Sequence, residues 1–174
     1  MKPAKKLGLA AKRCAIVPIV AVIVSGSFRG ARAQEKACSL ATPAELEAAI
    51  GWSVPELKPQ TMPGMAASIC MGRTAAGSVM LRVAKAGNQT GDKEAKGIEA
   101  AKKMGAQVDV KTFGPVTCST MIPPANLAQY GFNTTCTVKK GDTVAGIEVT
   151  ASTQRDMVPI GKLRPLAEKI ANRI

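Results

Sequence analysis

Apolar and polar residues alternate along several short segments of the chain, which is the period-two pattern of strands with one buried face. The pattern is clearest between Ser78 and Lys85, where Val79, Leu81 and Val83 occupy alternate positions. With the weaker segments included, the alternation predicts five strands, at Ser68–Gly72, Ser78–Lys85, Gln107–Phe113, Gly131–Val138 and Thr143–Ser152.

Three further segments have the helical spacing of apolar residues together with helix start and stop signals. Thr42 and Glu45, with a proline between them, form a capping box, and Gly51 ends the short helix that follows. The second segment ends in the same way, at Gly105. The two further predicted helices are Asp92–Met104 and Lys162–Arg173, the latter with Pro165 in its first turn.

The element order is helix, two strands, helix, three strands, helix. Strands and helices in this order predict an α+β fold. We expect an antiparallel sheet of about five strands, with two or three helices packed mainly on one face. The Pro- and Gly-rich stretch from Val54 to Ala67 is interpreted as an irregular loop. The same interpretation applies to the segment around Cys118, which lies between Gly114-Pro115 and Pro123-Pro124.

The first 33 residues have the layout of a secretory signal peptide. A basic start precedes an apolar run from Cys14 to Val24, and Ala31-Arg32-Ala33 supplies an A-x-A cleavage site. The predicted cleavage falls between Ala33 and Gln34, which gives one exported domain over residues 34–174. The apolar run has only about eleven residues, whereas a membrane span needs roughly twenty. We therefore predict no stable membrane span after cleavage.

The basic charge of the chain is concentrated in this leader. Seven of the 24 Lys and Arg residues precede Gln34, and none of the 12 Asp and Glu residues do. The mature chain then carries 17 basic and 12 acidic groups, a net charge of +5. Aromatic residues that could stack on bases are few. The composition therefore predicts no nucleic-acid partner, and it leaves an anionic surface as a candidate partner.

Removal of the leader also removes Cys14 and leaves an even number of cysteines: Cys38, Cys70, Cys118 and Cys136. In an exported chain, four cysteines predict two disulfides with three possible connectivities. We favour Cys38–Cys70 and Cys118–Cys136, because each pair lies within one half of the chain. Neither a Cys-x-x-Cys redox pair nor the short spacings of a zinc site occur.

The sequence offers little for catalysis. It contains no histidine, which excludes Ser-His-Asp and Cys-His mechanisms and histidine metal sites. Nucleotide-binding glycine motifs are absent as well. We therefore predict a protein that is not an enzyme and has no cofactor.

The spacing of three methionines is the strongest local sequence signal for a binding site. Met62, Met65 and Met71 lie in and just after the Pro/Gly-rich stretch. Thioether sulfur is a soft ligand that suits Cu(I), so these residues are candidate metal ligands. The alternative interpretation is that they pack over a core poor in aromatic residues.

The segment from Cys38 to Glu45 has the pattern Cys-x-Leu-x-Thr-x-x-Glu and closes at Ile50-Gly51. It resembles the opening of small bacterial exported domains of unknown function, in which such a helix precedes a cysteine-bearing strand, here Ser68-Ile69-Cys70. The apolar helix at Leu163–Ile174 is also similar. Many of these domains are lipoproteins, and this chain differs because it lacks a lipid-attachment cysteine. The resemblance implies an α+β domain of the bacterial envelope and transfers no catalytic residue.

These observations predict a small non-enzymatic binding or interaction protein, located in a bacterial periplasm or secreted. The candidate partners are an envelope protein or an anionic envelope polymer. The alternative function is that of a periplasmic copper(I) carrier with a Met-rich loop. An enzymatic function is the third and least favoured of these candidates.

Overall fold

The computed structural model describes residues 36–61, 67–87 and 90–174. These residues contain seven strands, which form one antiparallel sheet in the order β1-β2-β3-β7-β6-β5-β4 once numbered along the chain. The predicted antiparallel α+β class is therefore confirmed, but the prediction of about five strands is wrong. The strands are β1 (Lys58–Gln60), β2 (Ala67–Thr74), β3 (Gly77–Lys85), β4 (Gln107–Phe113), β5 (Val116–Ile122), β6 (Phe132–Lys140) and β7 (Thr143–Ala151).

The two strands missed by sequence analysis lie in the segments interpreted as irregular. Strand β1 has only three residues, includes Pro59, and forms by pairing with β2. Strand β5 begins directly after Gly114-Pro115, and its short polar side chains obscure the alternation. Its partners β4 and β6 pair with it on both sides, so Cys118 lies within the sheet, one strand from the edge. Pairing with neighbours, rather than local pattern, creates both strands.

Among the described residues, three α-helices accompany the sheet: α1 (Pro43–Ile50), α2 (Thr90–Lys103) and α3 (Ile160–Arg173). Two short 3-10 helices lie at Ala125–Tyr130 and Gln154–Asp156. The capping box of α1 is formed, because the Glu45 backbone N–H donates to the Thr42 hydroxyl while the Thr42 N–H donates to the Glu45 carboxylate. Helix α3 begins at Ile160, two residues earlier than predicted. Pro165 therefore lies inside the helix and not in its first turn.

The core lies between one face of the sheet and two of the helices. Helix α3 packs on β5, β6 and β7, and α1 packs on α3. Alternate residues of the strands point into this layer, as the period-two pattern requires. The helix side chains buried there include Leu163, Leu166 and Ile170, and the strand side chains include Val79, Leu81, Val138, Ala145, Ile147 and Val149.

Both predicted disulfides are confirmed. Cys38 bonds to Cys70, which ties the segment before α1 to β2. Cys118 bonds to Cys136, and the two residues lie directly opposite each other on β5 and β6 with their Cα atoms 4.0 Å apart. Cys70, Cys118 and Cys136 are fully buried in the core. The disulfides indicate an oxidising environment outside the cytoplasm.

A charged contact joins the two helices of the core layer. The Arg173 guanidinium donates to both carboxylate oxygens of Glu45, at 2.9 and 2.6 Å, and also to the Leu40 carbonyl. This bidentate contact, together with the cap at Thr42, lowers the pKa of Glu45 from 4.5 to about 2. The end of α3 is thereby fixed to the start of α1.

The predicted leader, including the cleavage site between Ala33 and Gln34, lies outside the described residues. Within the described ranges, no helix has the length and apolar character that a membrane span requires.

The Glu45–Arg173 contact predicts a specific acid sensitivity. Because the folded-state pKa of Glu45 lies below its ordinary value, the contact stabilises the fold fully above about pH 5, and this stabilisation is lost as the pH falls towards 2. Glu45→Gln keeps the capping geometry and removes the charge. We expect it to lower the free energy of unfolding by about 1 kcal/mol at pH 7, since the pair is partly solvent-exposed, and by much less at pH 2.

Urea unfolding of both proteins at several pH values measures this difference. The matched control is Glu168→Gln, which removes the exposed pair with Arg164 at 2.7 Å within one helix. We expect the control to keep the acid sensitivity of the parent. An equal loss for Glu45→Gln at both pH values would contradict the assignment.

Candidate functional site

The sheet face opposite α1 and α3 is lined by short polar side chains. We call it the hydroxyl face, defined by the Ser and Thr residues that point away from the core. Most of its side chains are half-buried or exposed, whereas the central strands bury most of their side chains on the other face. The defining residues are Ser78 on β3, Thr150 on β7, Thr135 and Thr137 on β6, Thr117 and Ser119 on β5, and Thr112 on β4.

Strand register arranges these side chains in rows across the sheet. One row runs from Arg82 over Gly146 to Thr137, and then to Thr117 and Thr112. Neighbouring strands lie about 4.8 Å apart, and successive rows lie about 6.8 Å apart along a strand. The face therefore carries hydrogen-bonding groups in rows, interrupted by apolar side chains such as Met80, Val144 and Met121, and the rows suit an extended ligand with repeated polar groups.

Arg82 lies across the middle of the array because Gly146 has no side chain. A Cβ atom added at Gly146 would come within 3.1 Å of the Arg82 Nε atom. The side chain therefore passes over β7 and makes a long contact of 3.5 Å from its guanidinium to the Thr137 hydroxyl on β6. A side chain at this position would require Arg82 to shift by a few tenths of an ångström.

Glu148 is the carboxylate at the centre of the face. It lies opposite Met80 on β3 and opposite Thr135 on β6. Burial raises the pKa of Glu148 above its ordinary value of 4.5, and the positive charge of Arg82 partly offsets this.

The charges on the face are mainly positive. Arg73, Arg82 and Lys139 point to the same side as Glu148, since all four occupy outward positions of their strands. Arg73 and Lys139 are exposed and Arg82 is half-buried. Guanidinium groups bind carboxylate and phosphate well, so the face suits an anionic ligand.

Asn133 adds an unsatisfied acceptor to the same face. It lies opposite Thr150 and Met121 at one end of the array. Among the described residues, its Oδ1 atom is the buried side-chain polar atom without a hydrogen-bond partner. Such an atom is costly unless a donor reaches it.

The predicted methionine ligands are only partly described. Met62 and Met65 lie outside the described residues. Met71 lies on β2, is half-buried, and points to the hydroxyl face. The residue opposite it on β3 is Met80, which sequence analysis did not select. Directly opposed residues have Cβ atoms about 4.5–5.5 Å apart, so the two thioethers are close neighbours.

All four predicted disulfide cysteines are bonded, so none of them is a thiolate ligand or nucleophile. In the described part of the chain, no group of three or more Cys, Asp or Glu residues could hold a metal ion. A site built from such ligands is therefore not found there.

Besides the hydroxyl face, a concavity of about 440 Å³ lies between β4 and α3. Its cations already have partners, since Lys111 pairs with Asp109 at 3.2 Å and Arg164 pairs with Glu168 at 2.7 Å. Arg164 also lies over the Phe113 ring, 4.3 Å from its centre. These contacts fix the end of β4 to α3 and make the concavity a weaker candidate than the hydroxyl face.

Sequence analysis did not select Arg82, Gly146, Glu148 or the threonines. The sequence did contain a sign of this surface, because polar residues occupy the positions between the apolar residues that predicted the strands. Register across five strands was needed to show that these residues meet on one surface.

No protein-family model matches the chain, and no curated protein sequence matches it. The resemblance to small bacterial exported domains therefore stays a prediction.

The environment of Glu148 gives a prediction that NMR can check. We expect the Glu148 carboxyl group to titrate above 4.5 and Arg82→Met to raise its pKa further, because the variant removes the nearby positive charge. Carbon-detected titration of the side-chain carboxyl measures both values. Lys85→Met, at the end of the same strand, is the control and leaves the titration unchanged. A midpoint at or below 4.5 in the parent protein would contradict the buried position.

Proposed function

We propose that the chain is a non-enzymatic binding protein of the bacterial envelope, and that its hydroxyl face binds an anionic envelope polymer. The observation that carries this proposal is the array of hydroxyl groups in register around Arg82. Repeated hydroxyl donors next to guanidinium groups match the repeated acid and hydroxyl groups of such a polymer. The scarcity of aromatic residues argues against a neutral glycan, which would use ring stacking.

The electrostatics of the face support this choice of ligand. Three cations stand against one carboxylate, and burial disfavours the charged form of that carboxylate. The three cations come from strands that pair with neighbours on both sides, so the backbone beneath them is ordered before binding. A flat, rigid and positive array therefore favours a long polyanion over a small molecule, which would need a deeper pocket.

The proposed location is a bacterial periplasm or the exterior of the cell. Two disulfides support an oxidising compartment. The signal-peptide pattern in residues 1–33 supports export, and the predicted net charge of +5 in the mature chain favours an anionic surface.

Removal of two cations from the face tests the proposal. We expect Arg73→Gln with Arg82→Gln to weaken binding to long-chain polyphosphate or polygalacturonate by roughly tenfold at low salt, since each exposed ionic contact contributes up to about 1 kcal/mol. Isothermal titration calorimetry at low and high salt measures the change. The affinity of the parent protein falls as salt rises, because salt screens these contacts.

The matched control removes two cations on other surfaces, Lys162→Gln in α3 and Arg155→Gln in the turn before it. It has the same net charge as the test variant. Equal weakening in both variants would show that only net charge matters and would contradict a specific face. The absence of binding to both polymers would contradict the ligand class.

A periplasmic copper(I) carrier is the second candidate function, and the Met71–Met80 pair favours it. Two thioethers on opposed strand positions provide soft ligands at one point of the surface. Cu(I) is the metal that such ligands suit best, because they bind hard cations poorly.

Single substitutions distinguish Cu(I) binding by Met71 and Met80 from a role in packing alone. If the pair binds Cu(I), we expect Met71→Leu or Met80→Leu to weaken Cu(I) affinity by about tenfold or more, as one lost ligand costs at least 1.4 kcal/mol. Competition with a chromogenic Cu(I) chelator under reductant-controlled conditions measures the affinity. Met121→Leu, on the same face but near the opposite edge, is the control. Failure of the parent protein to compete with the chelator would eliminate the carrier function.

A further inference from the structure

The two edges of the sheet differ in how far they are protected from pairing with another strand. Strand β1, at one edge, has three residues and contains Pro59, which has no backbone N–H. Strand β4, at the other edge, has seven residues with neither proline nor glycine. Short strands, proline and charged side chains are devices that block edge pairing. Strand β4 has neither of the first two, and its charges, Asp109 and Lys111, restrict it to a partner strand of matching charge.

The outer edge of β4 is accessible. The strand pairs with β5 on its inner side, and no described strand pairs with its outer side. Helix α2 packs against β4, yet five of the seven β4 side chains remain exposed. Val110, at the centre of the strand, is 41% exposed, which makes it one of the few large apolar side chains on the described surface. An exposed apolar side chain in the middle of a free edge favours a strand partner.

The sequence of β4 is complementary to itself when two copies run antiparallel. If Val110 lies opposite Val110 of a second copy, Asp109 lies opposite Lys111, and Lys111 lies opposite Asp109. Within one chain these two residues form an ion pair at 3.2 Å, and more than half of each side chain is exposed, so the pairs of two copies can merge into one cluster of alternating charges. Opposite charges in directly facing positions stabilise a strand pair.

Charge also selects this register over its neighbours. Facing residues must point to the same side of the sheet, so the second strand can shift along the first only by two residues at a time. One such slip places Asp109 opposite a second Asp109, and the other places Lys111 opposite a second Lys111. Like charges directly opposite each other are destabilising. The register centred on Val110 therefore has two favourable ion pairs, while the adjacent registers have a repulsive one.

We propose that the protein forms a symmetric dimer through antiparallel pairing of β4 with β4 of a second copy, centred on Val110. The contact is isologous, because the same residues meet on both sides of a two-fold axis. That axis is perpendicular to the sheet, so the two hydroxyl faces point to the same side of one continuous sheet. The dimer depends on the β4 edge and not on polymer binding, so the two proposals fail separately.

Charge exchange tests the dimer directly. Sedimentation velocity over a range of concentrations measures the dimer affinity of the protein expressed from its complete sequence. We expect Asp109→Lys to weaken dimerisation by roughly tenfold or more, because both ion pairs become Lys–Lys contacts, and Lys111→Asp to do the same through Asp–Asp contacts. The double variant Asp109→Lys with Lys111→Asp restores both pairs and restores the parent affinity.

A mixture of the two single variants gives the most specific result. One chain then presents two lysines and the other presents two aspartates, so we expect a heterodimer where neither variant forms a homodimer. This outcome also shows that each single variant is folded. Lys58→Asp is the matched control, because Lys58 pairs with Glu56 at 3.2 Å beside the opposite edge, and it leaves dimerisation unchanged.

Val110→Lys supplies an independent disruption at the axis, at a position exposed enough to accept a charge. A parent protein that remains monomeric at all concentrations would overturn the proposal. Dimerisation that persists in both single variants, or that the mixture does not restore, would overturn the register.

Discussion

The packing of α3 against the inner face of the central strands is the contact on which the rest of the structure depends. Leu163, Leu166 and Ile170 are fully or almost fully buried there, and α1 reaches the core mainly by packing on α3. The core is poor in aromatic residues, so each buried side chain removes a modest apolar area from water. Covalent and ionic ties supplement this packing. The disulfides fix β2 and the β5–β6 pair, and the contact between Arg173 and Glu45 holds the two helices together.

A core on one face leaves the other face of the sheet free for polar chemistry. Because successive strand residues point to opposite faces, every apolar residue directed inward places a neighbour outward. The outward set is rich in threonine, which combines high strand propensity with a hydroxyl group. The side-chain gap at Gly146 then allows Arg82 to lie across this surface towards Thr137. The same alternation thus produces both the stability of the sheet and the surface to which we assign binding.

The hydroxyl face and the outer edge of β4 present different chemical groups of the same sheet. The hydroxyl face offers side chains, whereas the free edge of β4 offers backbone N–H and C=O groups. Pairing of two edges about an axis perpendicular to the sheet would join the two hydroxyl faces into one continuous twisted surface. A long polymer could then contact two copies at once, and the second contact would form at a high effective concentration. Dimerisation would in this way increase the avidity of a face whose single contacts are weak.

The sequence alone determined the elements whose information is local. The capping box at Thr42 predicted the start of α1, the alternation predicted β4 at its observed bounds, and the even number of cysteines after removal of the leader led to both disulfides. The tertiary structure decided what depends on neighbours distant in the chain. Strand β5 has a weak pattern and forms because β4 and β6 pair with it on both sides. The row from Arg82 to Thr112 exists only through register across five strands, and the exposed edge exists only because β4 comes last in the sheet. Local backbone preferences extend over a few residues, whereas strand register and sheet order are set by contacts between distant segments.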